Sequence, residues 1–314
     1  YKEMVRNGYT HVAEFHYLHH DPQGKQYAQL SEMSERLIIG AQKAGINITL
    51  IPIYYENGGF GKNAEKDQCR FISKSLDDYI KLFESCEKRA GNYNHASVGY
   101  GIHSMRAVDS ENIIRLSKLK KSNVPLHIHV SEQLKEIEEC QSHLGQRPVQ
   151  WLSNNVKLDE NYHLVHATHL SKEEISQITS AGANVVLCPS TEGNLGDGIF
   201  PLGEFLIKNG KWSIGTDSHI GINPLEEIRI LDYGQRPTTH NRNTFGNQHS
   251  GDNGLNAIES ALINERKAMG INQSSFFEIG KPLDALIVSD THPLIESSSK
   301  ENRTNTIVYA ADSS

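Results

Sequence analysis

The chain has 314 residues, 37% of them hydrophobic, enough for one large core with a small appendage. A formal charge of −7, with no Lys/Arg block longer than two or three residues, excludes a nucleic-acid or membrane-surface binder. No apolar run approaches the roughly 20 residues of a membrane-spanning helix, and four scattered cysteines without a CxxC pair exclude a disulfide framework and point to a reducing cytoplasm.

Strands are read from short β-branched runs and helices from 3.6-residue periodicity. Residues 1–7 carry no signal-peptide core and read as the tail of a helix ended by Gly8. A strand over 10–16 is followed by a helix over 29–44, a strand over 46–54 and a helix over 76–88. Next come a strand over 96–104, a helix over 110–120 capped by Asp109 or Ser110, and a strand over 125–130. Helices over 133–140 and 148–155 lead to a strand over 163–169, and Ser171 with Glu174 forms a capping box that opens a helix over 172–180. After a strand over 183–189, the Gly-rich run from Ser190 to Gly198 holds two acids and lacks the phosphate-loop pattern, so it reads as a tight loop. A helix over 202–209, a strand over 212–217 and helices over 225–233 and 255–269 complete the alternation.

Strands alternating with helices imply a parallel sheet. From Phe15 to Asp217 is 202 residues in six strand-to-strand steps, and about 34 residues per step is the size of a βαβ unit. Seven strands are one short of a closed (β/α)8 barrel of the TIM type, and a helix tail before the first visible strand requires an earlier one. The expectation is an α/β chain with a barrel over residues 1–270 that is N-terminally truncated, its first strand missing. Past Met269 the texture changes. Residues 276–288 and 306–309 read as short strands around Gly/Pro turns, part of a small β-sandwich appendage over 271–314.

Polar residues gather at the strand ends, where a (β/α)8 barrel builds its site. His127 and His129 face the same way on their strand, with Glu132 just past its end. A metal-binding His beside a Glu supplies a general acid/base next to activated water; the plainer reading is a core histidine and an acid at a helix start. His166 closes the next strand and Asp217 the last. An ionised Asp can ligate a metal and take a proton, although Asp217 also suits a helix cap. His103 and Arg106 end the strand over 96–104. An Arg there suggests an anionic substrate, against the plainer reading of a surface Arg paired with Asp109 or Glu111. Tyr17, within the run from Glu14 to His20, is placed to hydrogen-bond a substrate. Only 88 residues separate His129 from Asp217, about three units, so His127 and His129 are not a first-strand ligand pair.

These residues resemble the amidohydrolase superfamily, and within it the deiminases acting on N-formimidoyl-L-glutamate. The resemblance covers essentially the whole chain and is carried by the runs Ala13 to Asp21, His103 to Val108, His127 to Gln133, Leu164 to His169, Ser190 to Phe200, Gly215 to His219 and Tyr233 to Arg236. It implies a zinc-dependent deiminase of histidine degradation: cytoplasmic, homodimeric, with one Zn²⁺ per subunit, acting on an acidic amino-acid derivative to release ammonia. His129 and Asp217 would be zinc ligands, and Asp217 would also deprotonate the water. Glu132 would carry the proton to the leaving nitrogen and His166 would orient the attacking group. His103, Arg106 and Tyr17 would contact substrate, Arg106 at a carboxylate. The family's first-strand His-x-His pair has no counterpart here, so the resemblance implies two of four ligands. A sibling aminohydrolase acting on a heterocycle such as guanine, and a metal-free inactive barrel fragment, are the alternative readings.

Overall fold

The computed structural model describes residues 1–246, 252–272, 277, 279–280 and 283–311. Among them are eight strands: β1 (His11–His16), β2 (Asn47–Tyr54), β3 (Ala96–Val98), β4 (Tyr100–Ser104), β5 (Leu126–Val130), β6 (Tyr162–His166), β7 (Asn184–Leu187) and β8 (Lys211–Ile214). They form one sheet in the order β1-β2-β4-β5-β6-β7-β8, with β3 on β2, and every pairing is parallel. Helices fill the connections, as parallel pairing demands. β5 is buried along its whole length and β2 from Ile48 onward, the mark of a sheet covered on both faces.

The sheet curls. Phe15 of β1 packs edge-on against His127 and His129 of β5, with ring centroids 5.4 and 5.2 Å apart, although β2 and β4 lie between those strands in the sheet. Curling brings β1 and β8 to face each other across a cavity of about 360 Å³, lined by residues 12–15 and 213–218. No strand among the described residues pairs with the outer edge of either, so the path ends at β1 and β8.

The helix Leu76–Ala90 shows how the outer layer is held. Ser75 caps its N-terminus by accepting from the Asp78 N–H, and Leu76, Tyr79, Leu82, Phe83, Cys86 and Ala90 form its buried stripe. Tyr79 donates its hydroxyl to the Pro52 carbonyl and accepts from the Gly101 N–H, each at 3.1 Å, fastening the helix to β2 and β4. Among the described residues no helix is long and apolar enough to cross a membrane.

Four elements differ from the sequence reading. The strand expected over 96–104 breaks into β3 and β4 at Gly99, where a Cβ would lie 2.6 Å from Ile51 Cδ1 and 3.0 Å from Pro125 Cγ, so a side chain there would force its neighbours to shift. The expected loop from Ser190 to Gly198 opens as the helix Pro189–Leu195, with Pro at its first position and Gly196 left-handed at its C-cap. Residues 306–309 belong to the helix Arg303–Tyr309 rather than a strand. There Val308 is fully buried and Arg229 donates to the Val308 and Ala311 carbonyls, so packing overrides the β-branched run. The other expected strand, over 276–288, does not form in its described stretch 283–288, and no strand follows β8 among the described residues, so the expected β appendage is not seen there; Phe276, Glu278 and residues 281–282 lie outside the described residues.

Candidate active site

The polar strand ends meet at one mouth of the curled sheet. His129 at the end of β5 is buried, and its Nδ1 bonds the His103 carbonyl at 2.7 Å, which fixes the tautomer and leaves Nε2 free. Its ring lies nearly parallel to that of His166 with centroids 5.5 Å apart, and 5.2 Å from that of His103. His166, closing β6, is 1% exposed and points Nε2 toward Glu132 Oε1 at 3.8 Å. Sequence candidates from β4, β5 and β6 are therefore neighbours in space.

The second side of the mouth comes from the β1 end. Tyr17 sits edge-on to His103 at 6.0 Å, and Tyr55 stacks edge-on to the same ring at 4.4 Å. Tyr17, His129 and Asp217 line the same cavity. Asp217 itself is exposed at the end of β8 and caps no helix; the next one, Pro224–Thr239, is capped by Asn223.

Arg106 pairs with neither Asp109 nor Glu111. Its Nη1 lies 3.9 Å from Oε2 of Glu136, whose side chain is only 2% exposed, while the Arg106 side chain is 32% exposed. Glu136 also accepts from the Glu132 N–H at 2.9 Å, so one buried acid ties the Arg to the loop that carries Glu132.

Electrostatics follow from burial. Desolvation drives His103 down to about 3, assisted by Arg106, and holds His129 well below the ordinary range, so both rings are neutral at pH 7. Burial raises the Glu132 carboxyl above its ordinary value, against the pull of His166 and Arg106. Burial opposes a charge on His166, yet its hydrogen bond with Glu192 and the charges of Glu132, Glu192 and Asp217 prevail and raise its pKa.

Two site-adjacent acids escaped the sequence reading. Glu136 falls on a helix and reads there as an ordinary surface acid. Glu192, 3% exposed, sits 3.3 Å from His166 Nδ1; the Pro189 start and Gly196 stop could have signalled its helix. His166, Cys188 and Glu192 hold their ligand atoms within 4.8 Å of one another, the one such group of three among the described residues.

His129 and Asp217 suit a divalent cation in kind. A buried neutral imidazole with a free Nε2 and a carboxylate on the same cavity are nitrogen and oxygen donors of the type zinc takes. They are two donors, where catalytic zinc normally has three from protein.

The family model described as "Amidohydrolase family" matches residues 1–312. The chain is 39% identical over 311 residues to a formimidoylglutamate deiminase from Pseudomonas aeruginosa, covering 99% of this chain and 68% of that protein. Among solved structures, an amidohydrolase from Brucella melitensis superposes with a TM-score of 0.89 at 36% identity, over 99% of this chain and 68% of that one. A guanine deaminase from C. acetobutylicum matches with a TM-score of 0.73 at 20% identity, over 99% of this chain and 70% of the other, a likeness of fold alone. A curled parallel sheet with its histidines and acids gathered at one mouth, matched by a family model along nearly its whole length, belongs to the amidohydrolase family, and the chain is a hydrolase acting on carbon–nitrogen bonds.

Proposed function

We propose that this chain carries the site of a zinc-dependent deiminase that hydrolyses N-formimidoyl-L-glutamate to N-formyl-L-glutamate and ammonia, in histidine degradation in the cytoplasm. The observation that carries the substrate is the 39% identity, along 99% of the chain, to a formimidoylglutamate deiminase. Four cysteines free of one another agree with a reducing compartment.

The residues divide the work by charge. His129 and Asp217 would hold the cation, which supplies Lewis-acid activation of water when bound. Asp217, open to the cavity, accepts the proton that water gives up as it adds to the formimino carbon. Glu132, whose carboxyl burial raises above its ordinary range, passes a proton to the nitrogen that departs as ammonia. His166, 3.8 Å from Glu132, bonds the incoming oxygen. Arg106 brings a cation to the His103 side of the site, and its partly exposed side chain suits a glutamate carboxylate, with Tyr17 and neutral His103 completing the grip.

The test is ammonia release from N-formimidoyl-L-glutamate, with guanine as the competing substrate, measured beside bound zinc. Release from the formimidoyl substrate alone supports the reading. Release from guanine alone gives the site to a heterocycle aminohydrolase. A folded chain that releases none with zinc supplied identifies residues 1–314 as an inactive barrel.

A further inference from the structure

Glu192 has no place in the reaction as written, yet it is buried directly behind a residue that does. Its Oε1 lies 3.3 Å from His166 Nδ1 and accepts from the Cys188 N–H at 2.9 Å. Both side chains are almost wholly buried, at 1% for His166 and 4% for Glu192. The opposite nitrogen of the ring, Nε2, faces Glu132. His166 therefore stands between two carboxylates, one at the mouth and one at its back.

The backbone here is held in a costly shape. His166 and Ala167 both have left-handed φ, at +67° and +50°, where a residue with a Cβ is strained by roughly 1 kcal/mol or more. The Ala167 N–H donates to the Val130 carbonyl at 3.0 Å, which fixes the turn but not the ring. Ring orientation needs its own restraint, and the Glu192 contact is the one on the Nδ1 side.

We propose that Glu192 is a positioning residue: its carboxylate, anchored by the Cys188 N–H on the short helix after β7, accepts a hydrogen bond from the Nδ1–H of His166 and so aims Nε2 at Glu132 and the reacting atoms. A carboxylate behind a histidine fixes tautomer and orientation wherever the imidazole has to act through its far nitrogen. The proposal rests on His166 taking part in the reaction proposed above. A helix cap for Cys188 alone is the competing role, and it makes no demand on the ring.

The test uses the full chain, ¹⁵N-labelled on histidine, without added metal and at a pH raised until the His166 signals are those of a neutral ring. The His166 signals are identified by their loss in His166→Asn. The parent shows the proton on Nδ1. In Glu192→Ala, or in the volume-filling Glu192→Met if the alanine variant does not fold, it moves largely to Nε2. Glu192→Gln, which keeps an acceptor, retains the Nδ1–H form. In the active holoenzyme the alanine variant loses about 10- to 100-fold in kcat, the usual scale for such a partner, with KM within about threefold. Adding it to His166→Asn costs nothing more. An unchanged ring pattern in Glu192→Ala, or losses that multiply in the double variant, overturns the proposal. A parent that releases no ammonia counts against the reaction, and the ring measurement alone then decides on Glu192.

Discussion

His19 offers a measurement that depends on no assumption about substrate. It is 2% exposed, its Nε2 donates to the Ile53 carbonyl at 3.0 Å, and its Nδ1 is buried without a partner. Burial and the neighbouring His16 push its pKa down to about 3, and burial pushes His16 and His127 to about 4. The unfolded chain takes up these protons near pH 6.5, whereas the native state resists them until pH 3 to 4. Stability from each ring is therefore complete above pH 6.5 and is lost as the pH falls toward the folded pKa. At about 1.4 kcal/mol per pH unit, one such ring costs about 2 kcal/mol on going from pH 7 to pH 5. Glu265, pushed up to about 7 by burial, works the other way, because its native state holds a proton that the unfolded chain has released. A wild-type pH curve mixes these opposed effects, so the substitution has to isolate one.

His19→Gln keeps a donor for the Ile53 carbonyl and does not titrate. The difference in unfolding free energy between pH 7 and pH 5, from urea titrations, should shrink by about 2 kcal/mol in the variant. If parent and variant lose stability in parallel across that window, His19 is not held neutral by its burial, and the reasoning fails.

Two further variants bear on the proposed chemistry. Arg106→Lys should raise KM for N-formimidoyl-L-glutamate by about 10- to 100-fold, since an ammonium cannot serve Glu136 and a substrate carboxylate with one planar fork; steady-state ammonia release checks it, and an unchanged KM removes the carboxylate grip. Asp217→Asn should lower kcat by at least ~10²-fold with little change in Tm, because the amide can neither accept the water's proton nor bring charge to a cation. Asn also tolerates the left-handed backbone that Asp217 adopts, with φ +45°, so an unfolded variant would be as damaging to this view as an active one.

Much of this was legible because parallel strands advertise themselves. β5 carries His129 one residue before its end, β6 ends in His166, and β8 ends just before Asp217; the spacing of roughly one βαβ unit put these ends at one mouth. What was not legible depends on partners distant in sequence. Nothing near Gly99 says that Ile51 lies where its side chain would go. Nothing in the run of β-branched residues before Tyr309 says that Arg229 will take the carbonyls and make it helical. Arg106 could be read as a substrate fork or as a surface ion pair. The structure gave it a third arrangement, anchored by a buried Glu136 that no pattern links to it. Glu192 is hidden for the same reason: its significance lies in His166, 26 residues away.

The strained residues connect these observations. Ser131, His166, Ala167 and Asp217, none of them glycine, have φ between +45° and +67°, and all four lie just at or beyond the ends of β5, β6 and β8. Such conformations persist only where surrounding contacts outweigh their cost. Those contacts are visible: the Ala167 N–H bonds the Val130 carbonyl, and the His169 N–H bonds the Ser131 carbonyl. Thr191, fully buried, donates to the Thr216 carbonyl at 3.0 Å and accepts from the His219 N–H at 3.1 Å, bracketing Asp217 from both sides. Thr191 and Glu192 are adjacent on the one short helix that the sequence disguised as a loop. One turn of helix after β7 therefore braces the end of β8 through its hydroxyl and the end of β6 through its carboxylate. The geometry of the mouth is set less by the strands that carry Asp217 and His166 than by the element packed between them.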